Sequence, residues 1–234
     1  MNKNKIIIYS FSQIASKIAT TLRQKNYHII IIEDDETLVL EAKKLGFETK
    51  ELSLMEDEDI IEAGLDKDNI KAFFCLGSNK NTNLFITLSV RNINQNIKII
   101  SLSSTKEDNK TLLLAGANKT INPSEIGAMR IFRSLHKPVI QNILDNILFS
   151  SSNIEIAEFT ILKNSIFDGI YLEDLKKIHK NNIIILGIQD KELSDKFIFF
   201  STGINHKVDA GDTIVMLGYD NDLREFKKLI SEII

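Results

Sequence analysis

The sequence predicts an α/β fold: an open, doubly wound parallel sheet, then a helix–turn–helix crossover, then a small α+β lobe. Three observations carry this. Apolar runs alternate with helical segments through the first 120 residues or so. Several of those runs, such as Ile6-Ile7-Ile8-Tyr9 and Ile29 to Ile32, do not alternate with polar residues, the pattern of parallel strands covered on both faces. After Pro123 the pattern changes to a long apolar helical stretch broken by Pro138, and then to short strands.

The opening unit organises the rest. A strand over 5–10 ends at Ser10, and Ile14, Ile18 and Leu22 then recur at helical spacing through 13–24. A second strand over 28–33 ends on Glu33. Strand, tight turn, helix, strand, acid is the layout of a Rossmann-like dinucleotide-binding unit, with the acid placed to accept ribose hydroxyls. The turn reads Ser10-Phe11-Ser12-Gln13-Ile14-Ala15 where the fingerprint has G-x-G-x-x-G. Ala15 still allows close helix–strand packing, and the Ser12 hydroxyl and the free N–H groups of the helix start offer donors to an anion.

The remaining elements follow from local signals. Asp34 or Asp35 caps a helix over 36–45, and Gly46 ends it. A strand over 48–52, a short acidic helix over 56–63 stopped by Gly64, and a strand over 72–76 come next. A helix over 81–93, a strand over 98–102, a helix over 106–115 and a short strand over 120–122 complete the first lobe, 1–122. Pro123 opens a helix and Pro138 breaks it. The apolar positions of 123–150, among them Ile126, Met129, Ile131, Phe132, Leu135, Val139 and Ile140, are too many for one stripe, so a partner subunit is expected on this pair. Ser150-Ser151-Ser152 reads as a linker. The second lobe, 151–234, is expected to hold a strand near 154–161, a turn at Asp168-Gly169 and a helix over 172–178. Strands over 183–188, 196–200 and 213–217 follow, then a last helix through Leu229 capped by Asp220 or Asp222.

Chemistry concentrates at the carboxyl ends of the first strands. The candidate ligand-contacting residues are Ser10, Phe11, Ser12, Gln13 and Ile14 in the turn, Glu33 and Asp34 after the second strand, and Gly77, Ser78 and Asn83 at the switch point. Glu33 reads equally as a ribose acceptor and as an exposed strand-end acid, and Asn83 as a ligand donor or a local cap. His28, His136, His179 and His206 lie on unrelated elements without metal-ligand spacing, and neither a G-x-S-x-G elbow nor a P-loop is present. No catalytic residue and no metal site is assigned. A net charge of -3 gives no electrostatic case for nucleic acid. The one cysteine, Cys75, reads as a buried small hydrophobe. No apolar run is long enough to span a bilayer.

The whole chain resembles the RCK, or KTN, domains of potassium channels and potassium uptake systems, built from a TrkA-N and a TrkA-C lobe. The residues that carry the resemblance are the strand–turn–helix from Ile6, Glu33, Glu62-Ala63-Gly64-Leu65 and Asn83-Leu84. To these add Ala115-Gly116-Ala117-Asn118 and the block Ile121-Asn122-Pro123-Ser124-Glu125-Ile126-Gly127. In the second lobe they are Phe167-Asp168-Gly169-Ile170-Tyr171-Leu172 and the run Ala210-Gly211-Asp212 through Gly218. The resemblance implies a cytosolic regulatory domain controlling potassium flux, peripheral to or covalently part of an inner-membrane protein. It implies pairing through the helix–turn–helix around Pro138, and assembly of the pairs into a ring such as an octamer. The partner is a channel pore or a transporter membrane subunit, and a ligand in the crevice or between lobes shifts the hinge. Members that bind ATP, ADP or NAD keep the glycine turn, which Ser10 and Ser12 alter here. Ser53 and Leu102 replace an aspartate and an arginine of the nucleotide binders, and Leu76, Ser101 and Ser103 stand where calcium-binding members have acids. The alternatives are a nucleotide-dependent oxidoreductase, which needs a catalytic His or Lys at the crevice, and a redox-sensing transcriptional regulator, which needs a basic recognition helix.

Overall fold

The computed structural model describes residues 4–149, 153–174, 182–192, 197–202 and 206–231. Two compact units result, Met1–Ile131 and Phe132–Ile234.

The first unit contains β1 (Lys5–Tyr9), α1 (Gln13–Gln24), β2 (His28–Glu33), α2 (Glu36–Lys44), β3 (Glu48–Glu51) and α3 (Asp57–Ala63). It continues with β4 (Ile70–Cys75), α4 (Lys80–Ile93), β5 (Lys98–Leu102), α5 (Lys106–Leu114) and β6 (Lys119–Ile121). All six strands are parallel, in the order β3-β2-β1-β4-β5-β6. The order reverses between β1 and β4, which sets the crevice above their carboxyl ends. The unbroken isoleucine runs are explained by two cores. One face packs Ile6, Ile8, Ile29 and Ile31 against Ala15 and Ala19 of α1 and Ala42 of α2. The other packs Ile7, Ile30, Ile32, Phe73 and Ile99 against Ile60 of α3, Ile86 and Val90 of α4 and Leu112 of α5. Each such side chain removed from water contributes about 1.5–3 kcal/mol.

Capping is mostly where the sequence puts it. Asp35 caps α2 by accepting from the N–H groups of Thr37 and Leu38, and α3 stops at Gly64. The cap of α4 is Asn79, which accepts from Asn81 and Thr82, so Asn83 is free for another role. The strand expected over 72–76 starts earlier, at Ile70, because Ile70 pairs in register with Lys5 before a bulge.

Arg91, near the end of α4, ties this unit's far end together. Its guanidinium donates to the carbonyls of Gly116, Asn94, Gln95 and Ile97 and to the Asn118 side chain. Gly116 has φ +105, and a Cβ there would lie 2.4 Å from Arg91 Cγ. The Ala115-Gly116-Ala117-Asn118 signature is thus a clamp that fits backbone around one arginine.

Helix α6 (Pro123–His136) follows, and α7 (Pro138–Phe149) starts at the proline expected to break it. None of the residues of α6 is buried. The second unit holds β7 (Ile154–Thr160), β8 (Ile183–Gln189), β9 (Phe197–Phe199), β10 (Thr213–Tyr219) and α8 (Asp220–Ser231). Its antiparallel sheet runs β7-β10-β8-β9. Leu223 and Phe226 of α8 join Phe159, Phe167, Ile188, Ile214 and Met216 in one core. The Ser150–Ser152 linker, Lys196, His179 and most of the helix expected over 172–178 lie outside the described residues. The motif residues of this unit latch turns. Asp168 accepts from the N–H groups of Asn164 and Ala210, and Asp212 from those of Lys191 and Asp209.

Candidate functional site

The crevice is built by the turn after β1, the end of β2, the exit of β4 and the start of α4. Ser10 occupies the first glycine position with φ 68, so the left-handed conformation is kept without glycine, at about 1–2 kcal/mol. Its N–H donates to Ile32 O at 2.9 Å. Ser12 has ordinary extended φ and caps α1, its Oγ accepting from the Ala15 N–H at 3.3 Å. Glycine at that position serves ligand approach rather than backbone geometry, and the Ser12 side chain takes up part of that room. Ala15 is fully buried and makes the close helix–strand contact. The N–H groups of Gln13 and Ile14 remain at the open helix end, beside exposed side chains.

Phe11 contributes backbone only. Its ring is buried in the core, tilted against Phe47 with centroids 6.3 Å apart. Its N–H donates to Glu33 Oε2 at 2.7 Å. Glu33 Oε1 accepts from Asp34 and Asp35 at 3.0 and 3.2 Å. Glu33 is therefore not an exposed strand-end acid: it is 4% exposed and binds the turn to the end of β2. The carboxylate that stands open at the mouth is Asp34.

Tyr9, at the end of β1, is a crevice residue that the sequence reasoning missed. Burial first, and then the charges of Asp34, Cys75 and Glu33, push its hydroxyl up to about 12. A Cβ on Gly77 would come within 3.2 Å of the Tyr9 ring and 2.6 Å of Asn83 Oδ1. The glycine at the β4 exit is thus required by its own neighbours. Asn83, buried, donates to Gly77 O at 2.8 Å and Leu102 O at 3.3 Å, and its Oδ1 accepts from the Cys75 thiol at 3.4 Å. It bridges the ends of β4 and β5, and Ser78 alone of this loop pair is exposed. Cys75 is the expected buried thiol, and burial pushes it up to about 12. Beneath the crevice, Ser101, Ser103 and Thr87 are buried, and the Ser101 and Thr87 hydroxyls face the Cys75 thiol.

The structure thus brings Ser10 to Ile14, Glu33, Asp34, Gly77, Ser78 and Asn83 to one edge of the sheet, as expected, but in two layers. Phe11, Glu33 and Asn83 form a satisfied inner layer. Ser12, Gln13, Ile14, Asp34 and Ser78 form the open one. Such an edge offers backbone donors to an anion and one carboxylate to hydroxyls. The histidines stand apart among the described residues. His28 pairs with Glu48 at 2.7 Å, His136 stacks on Phe132, and His206 lies 3.3 and 3.7 Å from Asp190 and Asp212.

The TrkA-N domain profile matches residues 6–123, and the TrkA-C domain profile matches residues 156–231. Potassium channel protein 1 of Methanocaldococcus jannaschii is 27% identical over 231 residues, covering 97% of this chain and 67% of that protein. The solved RCK domain of GsuK superposes with a TM-score of 0.52 at 19% identity, over 99% of this chain and 47% of that one. The GsuK channel bound to NAD gives 0.52 at 17%, over 97% and 38%. GsuK bound to ADP gives 0.51 at 23%, over 58% and 35%. These structural likenesses speak for the fold.

Proposed function

The chain belongs to the TrkA-N domain family and carries a TrkA-C domain after it, and from that premise we propose that it is the cytosolic regulatory part of a potassium channel or uptake system. Its work is to turn a binding event at the crevice into a shift between two packings of a homo-oligomeric ring. The reading divides the chain into a ligand lobe at 1–122, a pairing hairpin at 123–150 and a second lobe at 151–234. The single observation that carries it is the state of α6 and α7. Leu135 is 79% exposed, Ile131 75% and Val139 69%. Such a surface on a regulatory chain calls for a second copy. No described helix is long and apolar enough to cross a membrane, and in this reading the pore is supplied by a membrane subunit or by a further segment of a longer protein. The relatives' greater length accords with either arrangement.

The ligand class is an adenine nucleotide. NAD and ADP on the structurally similar GsuK channel support it, as does the open layer here. The N–H groups of Gln13 and Ile14 with Ser12 would hold phosphate, Asp34 would accept from ribose hydroxyls, and Ser10, Gly77 and Ser78 would shape the mouth. Phe11, Glu33 and Asn83 act from behind as positioning residues. A ligand moves the ring only by the difference of its affinities for the two packings, and a few kcal/mol is enough to change open probability by orders of magnitude.

A thermal-shift series tests this with the purified chain and ATP, ADP, NAD and NADH. A nucleotide that raises the melting temperature of wild type, but not of Asp34→Ala, supports the reading. No shift with any nucleotide at millimolar concentration removes the nucleotide from it.

A further inference from the structure

Charge is segregated between the two ends of the first sheet. β1, β5 and β6 begin on Lys5, Lys98 and Lys119, and Lys71 is the second residue of β4. These strands are neighbours, in the order β1-β4-β5-β6. They run parallel, so their starts share the amino edge, about 4.8 Å from strand to strand. Lys25 joins them from the turn before β2. Lys5 is half-buried and the others are exposed. None of Lys5, Lys71, Lys98 and Lys119 forms an ion pair with a carboxylate among the described residues. Lys71 Nζ donates to the Tyr27 hydroxyl at 2.7 Å and lies 4.7 Å from the centre of that ring, which holds its ammonium at the edge. Among the acids at this edge, Glu48 is taken up by His28, and Asp66 and Asp68 flank Lys67. The carboxyl edge has the opposite sign, with Asp34, Asp35 and Glu36 beside the first turn of α3, Asp57 to Asp59.

Part of this polarity is helix chemistry. Acids at helix starts, and Arg23, Lys43 and Lys44 at helix ends, complement the macrodipole. The strand-starting lysines have no such role, because a sheet carries only a small net dipole. Their ammonium groups spread over three strand spacings, about 14 Å, wider than one phosphate. Such a row fits an extended anionic surface. A cytoplasmic leaflet is one, and each basic side chain near it adds to the attraction. Resting on the reading of a regulatory chain beside a membrane pore, we infer that the amino edge of the first sheet docks on anionic lipid headgroups. The same pattern orients the unit. The leaflet repels the acidic carboxyl edge, so the crevice faces away from lipid and stays open to solutes.

Vesicle flotation of the whole chain at low ionic strength tests this. The chain floats with vesicles of equimolar phosphatidylglycerol and phosphatidylcholine, not with phosphatidylcholine alone, and added salt releases it. Each basic residue near the surface is worth about 5-fold in affinity and reversal counts twice, so Lys71→Glu with Lys98→Glu weakens binding on the order of 100-fold or more. Lys17→Glu with Lys106→Glu makes the same change of net charge in the first half of α1 and at the start of α5, and floats as wild type does. Circular dichroism confirms that each variant is folded. Equal binding to both vesicles, a Lys71→Glu and Lys98→Glu chain that floats like wild type, or equal loss in both double variants each overturns the proposal. Retention on immobilised polyglutamate without flotation also overturns it, in favour of an acidic protein. The nucleotide series needs no lipid, so the two readings fail separately. A nucleotide shift without flotation removes the lipid contact alone, and flotation without a nucleotide shift removes the nucleotide alone.

Discussion

Replacing Glu33 by glutamine separates the structure's account of this acid from the two readings the sequence offered. The carboxylate receives three backbone N–H groups, from Phe11 at 2.7 Å, Asp34 at 3.0 Å and Asp35 at 3.2 Å. Glutamine keeps one oxygen and turns the other into an amino group. If the oxygen stays with Asp34 and Asp35, the buried Phe11 N–H faces a second donor. A buried donor left without its acceptor costs about 1–3 kcal/mol, and the lost acceptor here was charged, so the upper half of that range applies. A loss of about 2 kcal/mol lowers the melting temperature of a domain this size by roughly 5–10 °C. Urea and thermal unfolding at neutral pH, without nucleotide, read the effect. A purely ribose-binding Glu33 predicts no change in stability without ligand, and an exposed strand-end acid predicts none at all. A Glu33→Gln variant that melts within about 1 °C of wild type, well below this range, would refute the latch.

Arg91→Ala strips donors from the carbonyls of Asn94, Ile97 and Gly116 together with aliphatic packing, and should cost about 2–4 kcal/mol by chemical denaturation. Gly116→Ala should destabilise too, through its φ of +105 and the contact with Arg91 Cγ, and should lose part of that effect in the Arg91→Ala background. Cys75 should stay unlabelled by a thiol reagent at pH 8 in the native protein and react at once in denaturant. The thiolate is the reactive form, and burial, by raising the thiol to about 12, leaves almost none of it below that pH.

Legibility in the sequence followed the range of the forces involved. Strands and helices of the first unit were readable because hydrophobic period and caps are local. The isoleucine runs could only be covered strands, and Asp35, Gly64, Pro123 and Pro138 act on their nearest neighbours. The second lobe was readable as short strands and turns for the same reason. The site was readable as a place but not as layers. The sequence identifies the residues that end β1, β2 and β4, but not which of them point inward. That depends on contacts 22 residues apart, such as Glu33 to Phe11, and on the pleat that buries Phe11 and Tyr9. Asn83 reads from the sequence as a ligand donor or a local cap because it stands near a helix start, and the Asn79 side chain takes the capping role.

The proposed function requires that ligand binding in the crevice move the α6–α7 hairpin. Hydrogen–deuterium exchange with and without saturating ADP or NAD measures this. The proposed function predicts slower exchange at 10–15 and 77–84 on binding, together with altered exchange across 123–149. Protection confined to the crevice, with the hairpin unchanged, would contradict it.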